Sequence, residues 1–132
     1  MKTLKDLRTA VENKEAKVLT IALANQLKGK RIATIYFGYK GQDGINEFTV
    51  GEIVSELEIA RRDVAFSEID PRFNNRAEYW ESYMTESQLN EEKSTLHLLT
   101  DEGKETYIRA HSFNKGEFTC SDSDRNVFFI EL

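Results

Sequence analysis

Apolar side chains near the start of the chain recur at helical spacing. Leu4, Leu7 and Val11 form one stripe, and Thr3 with Asp6 matches a capping box, in which the hydroxyl and the acid satisfy orphan helix N–H groups. A short amphipathic helix is expected over residues 3–12. Asn13 offers a second N-cap, Leu19, Leu23 and Leu27 follow at i, i+4 and i+8, and Val18, Ile21 and Ala22 widen the stripe. Gly29 stands where a left-handed residue closes a helix, so a second helix is expected over residues 14–28, although Val18 to Ile21 also fit a strand.

After Gly29 the texture becomes β-branched and aromatic. Ile32, Thr34 and Tyr36 alternate with Ala33, Ile35 and Phe37, so both faces are largely apolar and the strand should be central in its sheet. Lys40 to Gly44 reads as a hairpin connection, because Gly41, Asp43 and Gly44 suit the positive φ of tight turns. A second strand is expected from Ile45 to Leu57, with a bulge at Gly51, where the apolar positions move from Phe48 and Val50 to Ile53, Leu57 and Ile59. Ile53, Val54, Leu57 and Ala60 also fit a helix; the strand is the preferred reading of residues 51–60.

Residues 61–92 are more polar. Asp70-Pro71 is a break, Asn74 or Asn75 can cap, and Ala77, Trp80, Tyr83 and Met84 fall on one side of a helix, with a further helical turn over Thr85 to Glu91. From Ser94 the pattern returns to β. Turns at Asp101 to Gly103, Ser112 to Gly116 and Ser121 to Arg125 separate four short strands, which such connections make an antiparallel meander.

The expected fold is therefore α+β: two N-terminal helices packed on a small, strongly bent antiparallel sheet or SH3-like barrel of about six strands, with a helical insertion near residues 61–92. The whole of residues 1–132 reads as one domain: helical to 29, a hairpin over 30–60, the insertion, and the meander over 93–132. No internal repeat or family motif stands out.

Composition narrows the class. With 39% hydrophobic and 31% charged residues in 132, the chain can bury a core without a disulfide or metal staple. Its longest apolar runs have four residues, Ile21 to Ala24 and Val127 to Ile130, far short of the ~20 of a membrane span, so no membrane partner is expected. Charges near the first residues speak against a secretory signal, and Cys120, the one cysteine, suits a reducing compartment; a cytoplasmic location is expected. The net charge of −5 is uneven: residues 1–66 carry +2 and residues 67–132 carry −7. An acidic half repels phosphate, so nucleic acid is not the expected partner, and Lys28, Lys30 and Arg31 read as complements to a helix C-terminus.

Candidate chemistry is sparse. His97, His111 and Cys120 lie on successive expected strands and are of zinc-binding or nucleophilic type, but they lack ligand spacing and read as architectural. Ser121 to Arg125 resembles the start of a calcium loop without its glycine or its closing acid, and reads as an Asx-rich turn. Gly38, Gly41 and Gly44 lead into a strand, unlike a phosphate loop feeding a helix. No metal, cofactor or catalytic residue is assigned.

What stands out is the aromatic group in the insertion. Arg72, Phe73, Arg76, Tyr79, Trp80 and Tyr83 are of the residue types that concentrate binding energy at protein interfaces, and Tyr39 at the hairpin can extend the surface. The expected function is a small acidic, non-catalytic module binding a protein partner through the insertion. Two alternatives are a mobile-element regulatory or anti-defence protein whose acids imitate nucleic-acid charge, and a small hydrolase-like enzyme using a histidine and a carboxylate. Residues 128–132 form an apolar strand that at a sheet edge would pair with a second copy, giving a homodimer.

Overall fold

The computed structural model describes residues 2–110, 116–120 and 125–132. It divides into two compact units, residues 1–53 with 97–132, and residues 54–96.

In the first unit Thr3 caps helix α1 (Leu4–Glu12) as a capping box: its hydroxyl accepts from the Asp6 N–H, and the Asp6 carboxylate accepts from the Thr3 N–H. Leu7 is fully buried and, with Leu4 and Val11, packs on Ala33, Ile35, Phe37, Ile45, Phe128 and Ile130. Arg8 reaches Asp43 at 2.7 Å and ties the same helix to the connection after the first long strand.

The long second helix expected over residues 14–28 does not form. Lys14 takes a left-handed φ of +60°, and Lys17–Val18 becomes a two-residue strand, β1, opposite Phe129 and Phe128. Helix α2 is only Ile21–Gln26, capped by Thr20, whose hydroxyl accepts from the Leu23 N–H. Helical spacing in the sequence yields here to a ladder with a distant strand, which β-branched Val18 suits. Gly29 does adopt the expected left-handed turn, at φ +85°.

Six further strands follow: β2 (Arg31–Tyr36), β3 (Gly44–Ser55), β4 (Leu96–Thr100), β5 (Glu105–Ala110), β6 (Thr119–Cys120) and β7 (Val127–Glu131). They form one antiparallel sheet in the order β1-β7-β2-β3-β4-β5-β6. As its sequence implies, β2 is interior, flanked by β3 and β7, and Ile32, Ala33, Thr34 and Ile35 are buried. Ala33 and Ile35 face α1, while Ile32 and Thr34 share the opposite face with Phe48 across one ladder and Phe129 across the other. The β2–β3 connection contains a 3-10 turn, Tyr39–Gly41, in which Lys40 and Gly41 have φ of +55° and +74°.

Three sheet expectations are corrected. The meander has three strands, β4, β5 and β6, because β7 crosses to lie between β1 and β2. That interior place also removes the apolar edge expected to favour a homodimer: residues 127–131 pair with β2, and Phe128 and Phe129 pair with β1 as well. Nor does a continuous ladder close the sheet into a barrel among the described residues. Among the described residues isolated bridges, Thr20↔Glu117 and Thr119↔Asn126, join the segments near β1, β6 and β7, and β1 and β6 have two residues each. Around them Leu19 donates to the Val127 carbonyl, Phe118 to that of Leu19, and Val127 to that of Phe118, and all three side chains are buried.

The shift of burial expected at Gly51 is not carried through: Gly51 is buried and Glu52 exposed, yet Val54 is buried and Ile53 only partly so. Gly51 is required for a different reason. A Cβ there would lie 2.2 Å from the Thr100 carbonyl oxygen, on the backbone of β4.

In the second unit the strand reading of residues 51–60 holds to Ser55 and then fails. The Ser55 hydroxyl accepts from the Glu58 N–H and opens helix α3 (Glu56–Arg62), with Glu56 and Glu58 in its first turn and Arg61 and Arg62 in its last, a charge order that complements the helix dipole. Helices α4 (Phe66–Ile69), α5 (Arg76–Tyr83) and α6 (Glu86–Ser94) follow, so helical structure begins before residue 61. Asn75 caps α5 as expected, and Thr85 with Gln88 forms a capping box on α6. Leu57, Ala60 and Ala77 are the buried centre, with Trp80 and Leu89 packed against them.

Replacing Gly51 by alanine should lower stability by about 1–3 kcal/mol, since the backbone of β4 must shift to admit a methyl group. Urea denaturation measures this; an unchanged midpoint would contradict the close approach to Thr100.

Candidate functional site

The aromatic side chains of the second unit form a connected run. Tyr79 on α5 is its hub, with ring centroids 5.1 Å from Phe66, 5.6 Å from Phe73 and 4.9 Å from Tyr83, all inclined or edge-on. Such geometry sets ring edges against ring faces and adds about 0.5–1.5 kcal/mol per pair beyond burial. Helix spacing accounts for part of the cluster, because Tyr79 and Tyr83 are one turn apart on α5 and Phe66 comes from α4.

Unlike a core, the run stays partly open. Phe66, Phe73 and Tyr79 are half-buried, and Tyr83 is 56% exposed. Ile69, one turn after Phe66 on α4, is 80% exposed, and Val64 just before it is 65% exposed. These two and Phe66 were missed in the sequence, where Val64, Phe66 and Ile69 are dispersed among charged residues. The i, i+3 spacing of Phe66 and Ile69 was the available signal.

The arginines are held in place. Arg72 forks onto Asp70 through Nε at 3.0 Å and Nη2 at 2.7 Å, and its guanidinium lies 5.4 Å from the centre of the Phe73 ring. Arg76 donates from Nε to Asp63 at 2.9 Å and lies 4.8 Å from the Trp80 ring centre. Both stacking distances fall within the about 6 Å over which a ring quadrupole attracts a cation. Arg61 and Arg62 pair with Glu81 and Glu58 at 3.0 and 3.1 Å. The hydrogen bonds from the Arg72 side chain hold the Asp70 carboxyl below its ordinary range, and the same bonds raise Arg72.

Of the expected surface residues, Phe73, Tyr79 and Tyr83 are joined by ring contacts, with Arg72 stacked on Phe73. Trp80 packs toward Ala60 and Ala77 with Arg76 over it. Tyr39 belongs to the first unit, where it is 62% exposed with Lys40 Nζ 5.5 Å from its ring centre.

The other candidates resolve differently. His97 is buried on β4 with Nδ1 3.5 Å from a Glu105 oxygen; Cys120 is on β6, and His111 lies outside the described residues. Most of the calcium-like stretch, Ser121 to Asp124, also lies outside them. Among the described residues no group of three or more His, Cys, Asp or Glu side chains is placed to hold a metal ion, and no helix is long and apolar enough to cross a membrane. Lys30 and Arg31 face Glu131 and Glu47, at 3.5 and 3.9 Å, in place of a helix end. A cavity of about 420 Å³ in the first unit mixes Lys17 and Lys30 with Glu15 and Glu131 around Leu27 and Phe129, and so selects no sign of ligand charge.

Because the folded carboxyl of Asp70 titrates below its unfolded value, the Asp70–Arg72 pair contributes to folding above the ordinary carboxylate range. That contribution is lost as pH falls through the depressed value. A carboxyl-detected NMR titration should place Asp70 below the exposed acids, and Arg72→Gln should return it to them; an Asp70 unmoved by that change would contradict the fork.

Comparison with family models, with curated proteins and with solved structures finds no match for this chain.

Proposed function

We propose that this protein is a small, non-catalytic binding module that recognises a protein partner through the aromatic face of residues 64–83. The observation that carries the reading is Tyr83, more than half exposed at the end of a run of touching rings in a segment that also exposes Val64 and Ile69. Large apolar side chains in solvent gain most when a partner buries them, and a ring locked by its neighbours loses little entropy on binding. The arginine bonds to carboxylates add rigidity, since Arg72 and Arg76 are oriented before any partner arrives. A non-catalytic role fits the one described histidine, which is sealed in the sheet with 2% of its side chain exposed.

The test is affinity capture from the native host with mass spectrometry, comparing the wild type with Tyr83→Ser and Ile69→Ser. Both side chains are exposed, so circular dichroism should stay unchanged while the captured partner falls at least tenfold. Trp80→Ala should instead destabilise the protein, by about 2–3 kcal/mol, as a partly buried aromatic packed on Ala60 and Ala77. Undiminished capture by both serine variants would overturn the reading.

A further inference from the structure

Resting on that reading, we propose that the partner is a cationic amphipathic segment of protein, one carrying lysine or arginine between large apolar side chains. The first observation is where the charge sits. Residues 54–96 hold ten acidic and five basic residues, a balance of −5, which leaves thirteen of each sign on the rest of the chain. The whole net charge therefore belongs to the unit that bears Tyr83, Ile69 and Val64.

The second observation is that the unit's own arginines are already engaged. Arg61, Arg62, Arg72 and Arg76 each contact a carboxylate at 2.7 to 3.1 Å. An anionic partner would have to displace a charge-assisted hydrogen bond to reach any of them. A cationic partner meets acids instead: Glu68 on α4, between Phe66 and Ile69 in sequence, and Glu86, three residues after Tyr83, have no ion pair among the described residues.

The third observation concerns the rings. Phe73 and Trp80 already carry a guanidinium, whereas the exposed Tyr83 has no cation over its ring among the described residues. A lysine or arginine of the partner completes at Tyr83 the arrangement that Arg72 and Arg76 make internally, while the partner's apolar side chains cover Ile69 and Val64. Field and contact then select the same chemistry, with attraction reaching about 8 Å at physiological salt.

The experiment titrates the full chain with two labelled synthetic peptides of identical leucine spacing, one with lysine and one with glutamate at the remaining positions, and with a single-stranded oligonucleotide. We expect the lysine peptide alone to bind, its affinity falling at least tenfold between 50 and 300 mM salt. Tyr83→Ser and Ile69→Ser leave the net charge untouched, so a further tenfold loss in either variant separates docking on this face from diffuse attraction. Equal binding of the glutamate peptide or the oligonucleotide, salt-insensitive binding, or full binding by both variants overturns the proposal. So does a dimer in sedimentation that Tyr83→Ser dissociates, which would make a second copy the occupant. If neither peptide binds yet host capture is lost in Tyr83→Ser, the aromatic face stands and its cationic partner falls; if host capture is indifferent to both variants, the face itself falls.

Discussion

Everything in the sheet unit depends on β2 being buried on both faces while hydrogen-bonded on both edges. A strand so enclosed leaves no backbone group to water, so two neighbours must satisfy it, and β3 and β7 do. β3 is supplied locally by the Tyr39–Gly41 turn. The other neighbour comes from almost a hundred residues away, since β7 places Phe128 opposite Ile35 and Phe129 opposite Thr34. With that pairing made, one face of β2 accepts α1 through Leu7, and the other receives Phe48 and Phe129. Isolated bridges near β1, β6 and β7 lie around Phe118, Leu19 and Val127, where apolar burial supplies what two-residue strands cannot.

This division between local and distant causes marks what could be read from the amino acids. The capping box at Thr3, the two-faced apolar run of β2, the turn at Lys40 to Gly44 and the Asn75 cap are all encoded within a few residues, and the structure has them. Strand β1 and the place of β7 are not. Lys17 and Val18 are extended because Phe129 and Phe128 lie across from them, and no nearby residue announces that pairing. Ser55 is intermediate: its cap and the acid-first, base-last order of Glu56 to Arg62 were present, but the β-branched residues before them favoured continuing the strand. Gly51 was marked as special, but a close-approaching carbonyl and a bulge leave the same glycine in the sequence, and the close approach to Thr100 is what the structure shows.

For the proposed recognition surface, legibility was limited by depth. Aromatic and arginine residues in a polar stretch mark a site, but not which rings turn inward. The sequence placed Ala77, Trp80, Tyr83 and Met84 on a single side of α5, whereas the helix has two adjacent stripes. Ala77 and Trp80 meet Leu57 and Ala60, while Tyr79 meets Phe66, Phe73 and Tyr83. Which stripe is the outer one depends on α3, which the sequence offered only as the alternative to a strand, and on α4, which the sequence reading did not contain.

That two-stripe arrangement explains how so acidic a segment folds around a cluster of three buried residues, two of them alanines. Small side chains at Ala60 and Ala77 let α3 and α5 approach closely, so Trp80 can cover the junction with one large surface. The Arg76–Asp63 bond closes over the same tryptophan, and Arg61 to Glu81 spans the same two helices at 3.0 Å. Each such bond is worth little alone at the surface, yet together they neutralise the acids that would repel across the helix pair. The Trp80 stripe covers the buried centre, while the Tyr79–Tyr83 stripe adds ring contacts that stay partly open to solvent. On the function proposed above, a row of rings left partly open, held by mutual contact and set in an acidic segment, is what suits this stripe to a partner.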